Sequence, residues 1–411
     1  MALIVGRKGE TKLAPVVSLN ITENETDPAV WGKVFPREYN RFLMAEDTTG
    51  PTKYGGPKPF SWLDRDTLLK FLWAGYPFSA EWNEDRGHTW SLVDLEHTAR
   101  RDPARGGKPQ FGVCLTCKSA DAPRLMSEMG IERFYSAKLE EVLPKAKHPV
   151  SCADCHDPKS MELRIANPVL KEALLAMGKD TSRLTRQEMR SLVCAQCHSE
   201  YFFLKETKYL TFPWKYGTSP EAMFRFYEEI AFSDWVHPVS GTPLIKVQHP
   251  DYELFLSGPH AQAGLACADC HMPYIAEGGV KFTDHYIQSP LKNISNACKP
   301  CHTGSEEEIR AKVELIQDRN NQLLHRAEVA LAEAHRAIAS AKSAGATDDQ
   351  LKEPRALLRE AQMYWDYALT ANGMGFHSPQ ESARILANAI DLARRAQMAA
   401  LSAQITAKGG K

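Results

Sequence analysis

The chain has 411 residues, with 50 Lys and Arg against 51 Asp and Glu, a net charge of −1 and 43% hydrophobic residues. That balance excludes a strongly basic nucleic-acid binder and an acidic disordered chain, and it leaves enough apolar material for a packed core. No run of roughly 18 apolar residues occurs, so no membrane span is expected.

In chain order, the N-terminal stretch Met1 to Glu10 carries only a short apolar piece, against the ~7–15 residues of a secretory signal. Two sources fit: a cytoplasmic protein, or a mature chain whose signal is absent here. Residues 1–60 are rich in Pro, Thr and Gly, with pieces such as Val16-Val17-Ser18-Leu19, and predict an arm wrapped over the body. Residues 61–304 hold all ten cysteines, at uneven gaps that exclude a solenoid repeat. They show no long alternating pattern, so short helices and loops with little β are expected.

The character changes at Ser305. Ser305-Glu306-Glu307-Glu308 reads as a capping box. Apolar or small residues then recur at Ile309, Val313, Ile316, Leu323, Ala327, Ala330, Ala334, Ile338 and Ala341, interrupted by Asn320, and Gly345 is a fitting stop. This predicts a helix of about 38 residues. A second helix is predicted from near Glu353 to Thr370. A third opens at Ser378-Pro379-Gln380-Glu381, with Ile385, Ala389, Leu392 and Ala396 on its stripe. The expected fold is mainly α: a body over residues 1–304 with its N-terminal arm, and a long-helix region over 305–411. The Ala-rich stripe suits packing within one chain or a dimer seam. A helix longer than the usual globular length favours a homodimer.

The cysteines form five Cys-x-x-Cys pairs: Cys114/Cys117, Cys152/Cys155, Cys194/Cys197, Cys267/Cys270 and Cys298/Cys301. Structural zinc, thiol redox and covalent c-type haem all use this spacing. The next residue separates them. It is histidine in four cases, His156, His198, His271 and His302, and Lys118 in the first. With 14 histidines in 411 residues, four in five by chance has a probability of about 10⁻⁵. The haem reading follows, with two thioethers fixing the haem edge and the adjacent imidazole meeting iron. Haem attachment suits an exported protein, so a mature periplasmic chain is expected. Lys118 is read as an amine ligand on an iron whose other face is open, or else as a degenerate site ligated from elsewhere. To donate, the amine must lose its proton, as metal coordination can make it do.

The order of one Cys-x-x-Cys-Lys and four Cys-x-x-Cys-His resembles the pentahaem, ammonia-forming cytochrome c nitrite reductases. So do the segments Arg86-Gly87-His88, Glu200-Tyr201, Ala231-Phe232-Ser233-Asp234-Trp235, Lys246-Val247-Gln248-His249-Pro250, His271-Met272-Pro273 and Thr283-Asp284-His285. The resemblance runs from about Phe60 to Lys411. It implies five covalent haem c groups and six-electron reduction of nitrite to ammonium at the Lys118 haem. Arg100, Tyr201 and His249 would surround the substrate. Arg101 competes with Arg100, although spacing to Arg86-Gly87-His88 favours Arg100. A guanidinium meets the anion, and imidazole and phenol supply protons.

The resemblance further implies a calcium ion held by Glu200 and Gln248 side chains and by Tyr201 and Lys246 carbonyls. It pairs His88 with the Cys194/Cys197 haem, His285 with Cys152/Cys155, His377 with Cys267/Cys270, and His260 with Cys298/Cys301. His97, His148, His237, His325 and His335 are left for surface or packing roles. The implied electron donor is a membrane-anchored multihaem quinol dehydrogenase or a soluble relay, with dimerisation through the long C-terminal helices. A pure electron carrier is the competing reading, and hydroxylamine or sulfite turnover a related one. A carrier has no use for Arg100, Tyr201 and His249, nor for an amine ligand.

Overall fold

The computed structural model describes residues 21–102 and 107–409, so Val16-Val17-Ser18-Leu19 lies outside the described residues. The C-terminal region is set by its caps. The Ser305 hydroxyl accepts from the Glu308 N–H, and the Glu308 carboxylate accepts from the Ser305 N–H. This box opens helix α1, Glu306–Ser343, of 38 residues. Beyond its end Gly345 sits at φ +102°, a left-handed conformation that glycine takes without strain.

Helix α2 spans Asp348–Thr370 and starts earlier than the predicted Glu353. Here Thr347 and Gln350 make a second capping box upstream, and Pro354 sits inside the helix at the cost of one hydrogen bond. Helix α3 spans Pro379–Gly409 and begins at the predicted proline.

The three helices pack together through small residues. Ala327, Ala330, Ala334 and Ala341 of α1 and Ala389, Ala393, Ala396 and Ala400 of α3 are buried. Leu392, placed on the stripe by its spacing, is only partly buried; Ala393 takes the inward position. Helix α2 is the most enclosed, and its polar residues brace the rest of the chain. Gln362 donates to Leu72 O at 2.7 Å, Arg359 to Pro243 O at 2.9 Å, and Asp366 accepts from Val247 N–H at 2.9 Å. The last of these anchors the segment that leads to His249.

The remainder is short helices and turns with three two-stranded antiparallel ribbons. The longest pairs Tyr274–Glu277 with Val280–Thr283. The fold is thus mainly α with little β. Residues 21–60 cross the surface of this body. Trp31 is buried against Ile21, Ala120 and Ala153, Arg41 makes a two-pronged contact with Asp284 at 2.8 Å, and Tyr54 donates to Asp318 of α1 at 2.6 Å. Among the described residues, no helix is long and apolar enough to cross a membrane.

Candidate functional site

Nine of the ten cysteines line one connected cavity of about 1870 Å³; Cys301 lies exposed outside it. Local structure aims the thiols. Cys152–Cys155 and Cys267–His271 are single helical turns, which bring residues three apart to one face. Each turn is fixed by the acid inside its own motif: Asp154 accepts from Ser151 N–H and Asp269 from Ala266 N–H, both at 2.8 Å. Burial pushes the Cys152 and Cys155 thiols up to about 12, away from thiolate, whereas the neighbouring Cys194 holds Cys267 down to about 7. Among the described residues no group of thiols and imidazoles gathers as a metal cage. The one cluster of three ligating side chains is Asp66, His325 and Glu328, which contains no cysteine. Motifs instead meet edge to edge, with Cys117 beside Cys197 and Cys194 beside Cys267.

The histidines face one another in pairs, three across the cavity and one, His260 with the exposed His302, at its edge. Ring centroids are 6.5 Å apart for His88 and His198, 6.2 Å for His156 and His285, 6.3 Å for His260 and His302, and 6.3 Å for His271 and His377. Two metal–nitrogen bonds of about 2.0 Å, with ~1.2 Å from each ring nitrogen to its centroid, span ~6.4 Å. The residues therefore fit a six-coordinate haem iron between each pair. Backbone carbonyls hold Nδ1 of several rings, which leaves Nε2 for the metal: His156 on Met161 O at 2.9 Å, His271 on Gln288 O at 3.0 Å and His285 on Thr283 O at 2.8 Å. Glycine makes room for the last partner. Gly375, at φ +79°, turns the chain into His377, and a Cβ there would stand 2.6 Å from Asn320 Cγ.

Lys118 points into the same cavity with Nζ 3.5 Å from Asp85 Oδ2. Asp85 is the main cause that raises the Lys118 amine, so the proton stays on until something displaces it. Arg100, Tyr201 and His249 line this region, whereas Arg101 turns away and donates to Leu95 O at 3.2 Å. Arg100 stacks over Phe78 at 4.1 Å and donates to Glu81 O at 3.4 Å. Burial first, then the charges of Lys118 and His198, lower His249 to about 4, and its Nδ1 is buried without a partner. His249 also lies 6.4 Å from the His198 ring, so this end adjoins the His88/His198 pair.

Next to it, Glu200 is fully buried. It accepts from Tyr227 Oη at 2.8 Å and from the Gln248 backbone N–H. Gln248 Nε2 donates to Lys246 O at 3.1 Å. Burial holds Glu200 well above its ordinary value, and Glu253, Asp234 and Asp366 are raised to about 8, 6 and 6, with Lys246 the cation set against them. This excess of buried carboxylate, beside hard carbonyl oxygens, fits a divalent cation. Gln248 would present Oε1 once its amide is reversed.

The remaining histidines are occupied elsewhere. His237 binds Phe71 O at 2.8 Å; His335 lies between Ser240 Oγ at 2.8 Å and Gln362 Oε1 at 2.7 Å; His148 contacts Thr26 at 3.1 Å. His97 and His325 are exposed. Two residues of the site carry no signal in the sequence. Asp85 sits just ahead of Arg86-Gly87-His88, and Asp251 two positions after His249; acids at such places are common and only the fold gives them neighbours.

Residues 27–411 match the model of the cytochrome c552 family. Cytochrome c-552 of Parabacteroides distasonis is 44% identical over 378 residues, covering 92% of this chain and 76% of that protein. Its counterpart in Porphyromonas gingivalis is 42% identical over 367 residues, covering 89% and 74%. Among solved structures, the cytochrome c nitrite reductase catalytic subunit of Desulfovibrio desulfuricans, described with two calcium sites, superposes with a TM-score of 0.88 at 33% identity, covering 93% of this chain and 87% of that one.

Proposed function

The chain belongs to the cytochrome c552 family, and from that premise we propose that it is a pentahaem nitrite reductase that forms ammonium. The observation that supports this reading is that Arg100, Tyr201 and His249 line the same cavity as the lone Cys-x-x-Cys-Lys motif, with Asp85 facing the charges of Lys118, His249 and Arg100. When bound, the haem held by Lys118 supplies an open iron position and the route for electrons.

The protein residues supply the rest. Arg100 offers a guanidinium to nitrite in a buried setting, where a fixed charge acts strongly. Tyr201 donates from its hydroxyl. Reduction of nitrite to ammonium takes six electrons and eight protons and releases two waters, so proton supply is as demanding as electron supply. His249, held neutral by burial, regains proton affinity when an anion arrives beside it. It thus loads its proton with the substrate and passes it on. The four histidine pairs would each hold a haem between two imidazoles, suited to relaying electrons rather than to binding nitrite.

Glu200 and Gln248, with the Tyr201 and Lys246 carbonyls, would hold calcium, which would stiffen the two segments that carry Tyr201 and His249. Residues 1–304 form the catalytic body and 305–411 the region that packs on it and joins two copies. The protein works in the periplasm, fed by a membrane-anchored multihaem quinol dehydrogenase or a soluble relay.

The deciding experiment is ammonium formation from nitrite with a chemically reduced low-potential dye. Turnover without free intermediates is expected. Fully haem-loaded protein that makes no ammonium, and whose haems are all low-spin and bind no added ligand, would be a carrier instead.

A further inference from the structure

Asp251 is a buried carboxylate at the junction of two motif sites. Its Oδ2 lies 3.6 Å from His198 Nδ1, and its Oδ1 lies 3.5 Å from His377 Nδ1. Asn372 holds it from the other side, the backbone N–H donating to Oδ1 at 2.8 Å and Nδ2 to Oδ2 at 3.0 Å. Each oxygen therefore takes one amide donor and faces one imidazole. Those imidazoles belong to different sites: His198 follows Cys194/Cys197, and His377 faces His271 of the Cys267/Cys270 motif. The two sites adjoin, since Cys194 lies beside Cys267.

We propose that Asp251 is a positioning residue for two haems at once, orienting His198 and His377 and setting the reduction potentials of the Cys194/Cys197 and Cys267/Cys270 haems as a matched pair. This rests on the axial-ligand reading above. A ligating imidazole whose Nδ1–H meets a carboxylate is a stronger donor than one on a backbone carbonyl, and it favours ferric over ferrous iron. His156, His271 and His285 all rest on carbonyls. At 3.5–3.6 Å the Asp251 contacts act through charge more than through short hydrogen bonds. One anion shared by neighbouring relays lowers both potentials together, so it moves the pair without opening a gap between its members. The same residue donates its N–H to His249 O at 2.8 Å, which ties the relay pair to the segment that carries the substrate histidine.

The test is a redox titration of the holoprotein, followed by visible and EPR spectra, on wild type, Asp251→Asn, Asp251→Glu and Asn372→Ala. Haem is counted first on the wild type, because a chain without five covalent haems overturns the underlying reading rather than this one. In Asp251→Asn, two of the five one-electron midpoints are expected to rise. Their reduction constants gain tenfold or more, which is 59 mV or more for one electron. Asp251→Glu returns them toward wild type. Asn372→Ala leaves the carboxylate and the backbone donor on Oδ1 in place but removes Nδ2, the donor on Oδ2, so more of the charge faces the imidazoles and the same two midpoints fall, that of the Cys194/Cys197 haem further. That variant carries the test if Asp251→Asn does not assemble. Unmoved midpoints in a haem-loaded variant, a shift of one alone, or an equal shift of all five would overturn the proposal.

Discussion

Arg100 and Arg101 are chemically identical neighbours, and only their surroundings separate them. Arg100 lines the cavity over Phe78, while Arg101 donates to Leu95 O. Arg100→Ala is expected to cut nitrite turnover about 10²-fold, in line with loss of one charge-stabilising donor, and Arg101→Ala to leave it near wild type. Steady-state kinetics on the pair checks this; equal loss in both would move the substrate away from Arg100. His249→Asn should cost about 10²–10⁴-fold, as for a general acid, while all five haems stay attached. Calcium belongs at the same scale. Glu200 is buried among raised carboxylates, so chelation should lower turnover without releasing haem, and added calcium should restore it. The five Cys-x-x-Cys motifs and their following residues were legible because each is a fixed local spacing. Asp85 and Asp251 were not, since each matters only through side chains that the fold brings from distant segments.

Helices show the same division between local and distant signals. Helix α1 was legible to the residue at its start, because Ser305 and Glu308 satisfy each other's neighbours within one turn. Helix α2 begins ahead of its expected start, because Thr347 with Gln350 is a quieter form of the same box. Ser305→Ala and Thr347→Ala should each cost about 1 kcal/mol, seen as a lowered melting temperature with unchanged spectra. The turn after α2 is more demanding. Gly375→Ala adds a Cβ against Asn320 at a positive φ, so it should displace His377 and convert one low-spin haem signal in EPR, leaving the others as they were. An unchanged EPR spectrum would show that the turn absorbs the methyl group elsewhere.

At the scale of the whole molecule, two buried groups in the long-helix region bias stability against pH from opposite sides. Burial and Asp66 push Glu328 up to about 9 from 4.5. Between those values the unfolded chain binds fewer protons than the folded one, so stability falls as pH rises, by at most about 1.4 kcal/mol per unit. Burial holds His335 down to about 3 from 6.5, so stability is lost as pH falls through that window. Glu328→Gln keeps an oxygen for Trp365 Nε1, which donates at 3.2 Å, and removes the alkaline loss. It should melt higher than wild type at pH 8 and nearly equal to it at pH 5; no gain at pH 8 would mean that Glu328 is already ionised in the fold.

The cavity that holds nine of the ten cysteines is one space without partitions, and its sites touch through Cys117 with Cys197 and Cys194 with Cys267. On the haem reading, each cofactor is then part of its neighbour's wall. A chain short of one haem lacks a surface for the next to rest on, and α2 and the segments it braces lose the mass they close around. Biogenesis is therefore all-or-none. When haem is scarce, a cell would make fewer finished molecules rather than a graded population with gaps in the relay, and the unfinished chains would stay open to proteolysis.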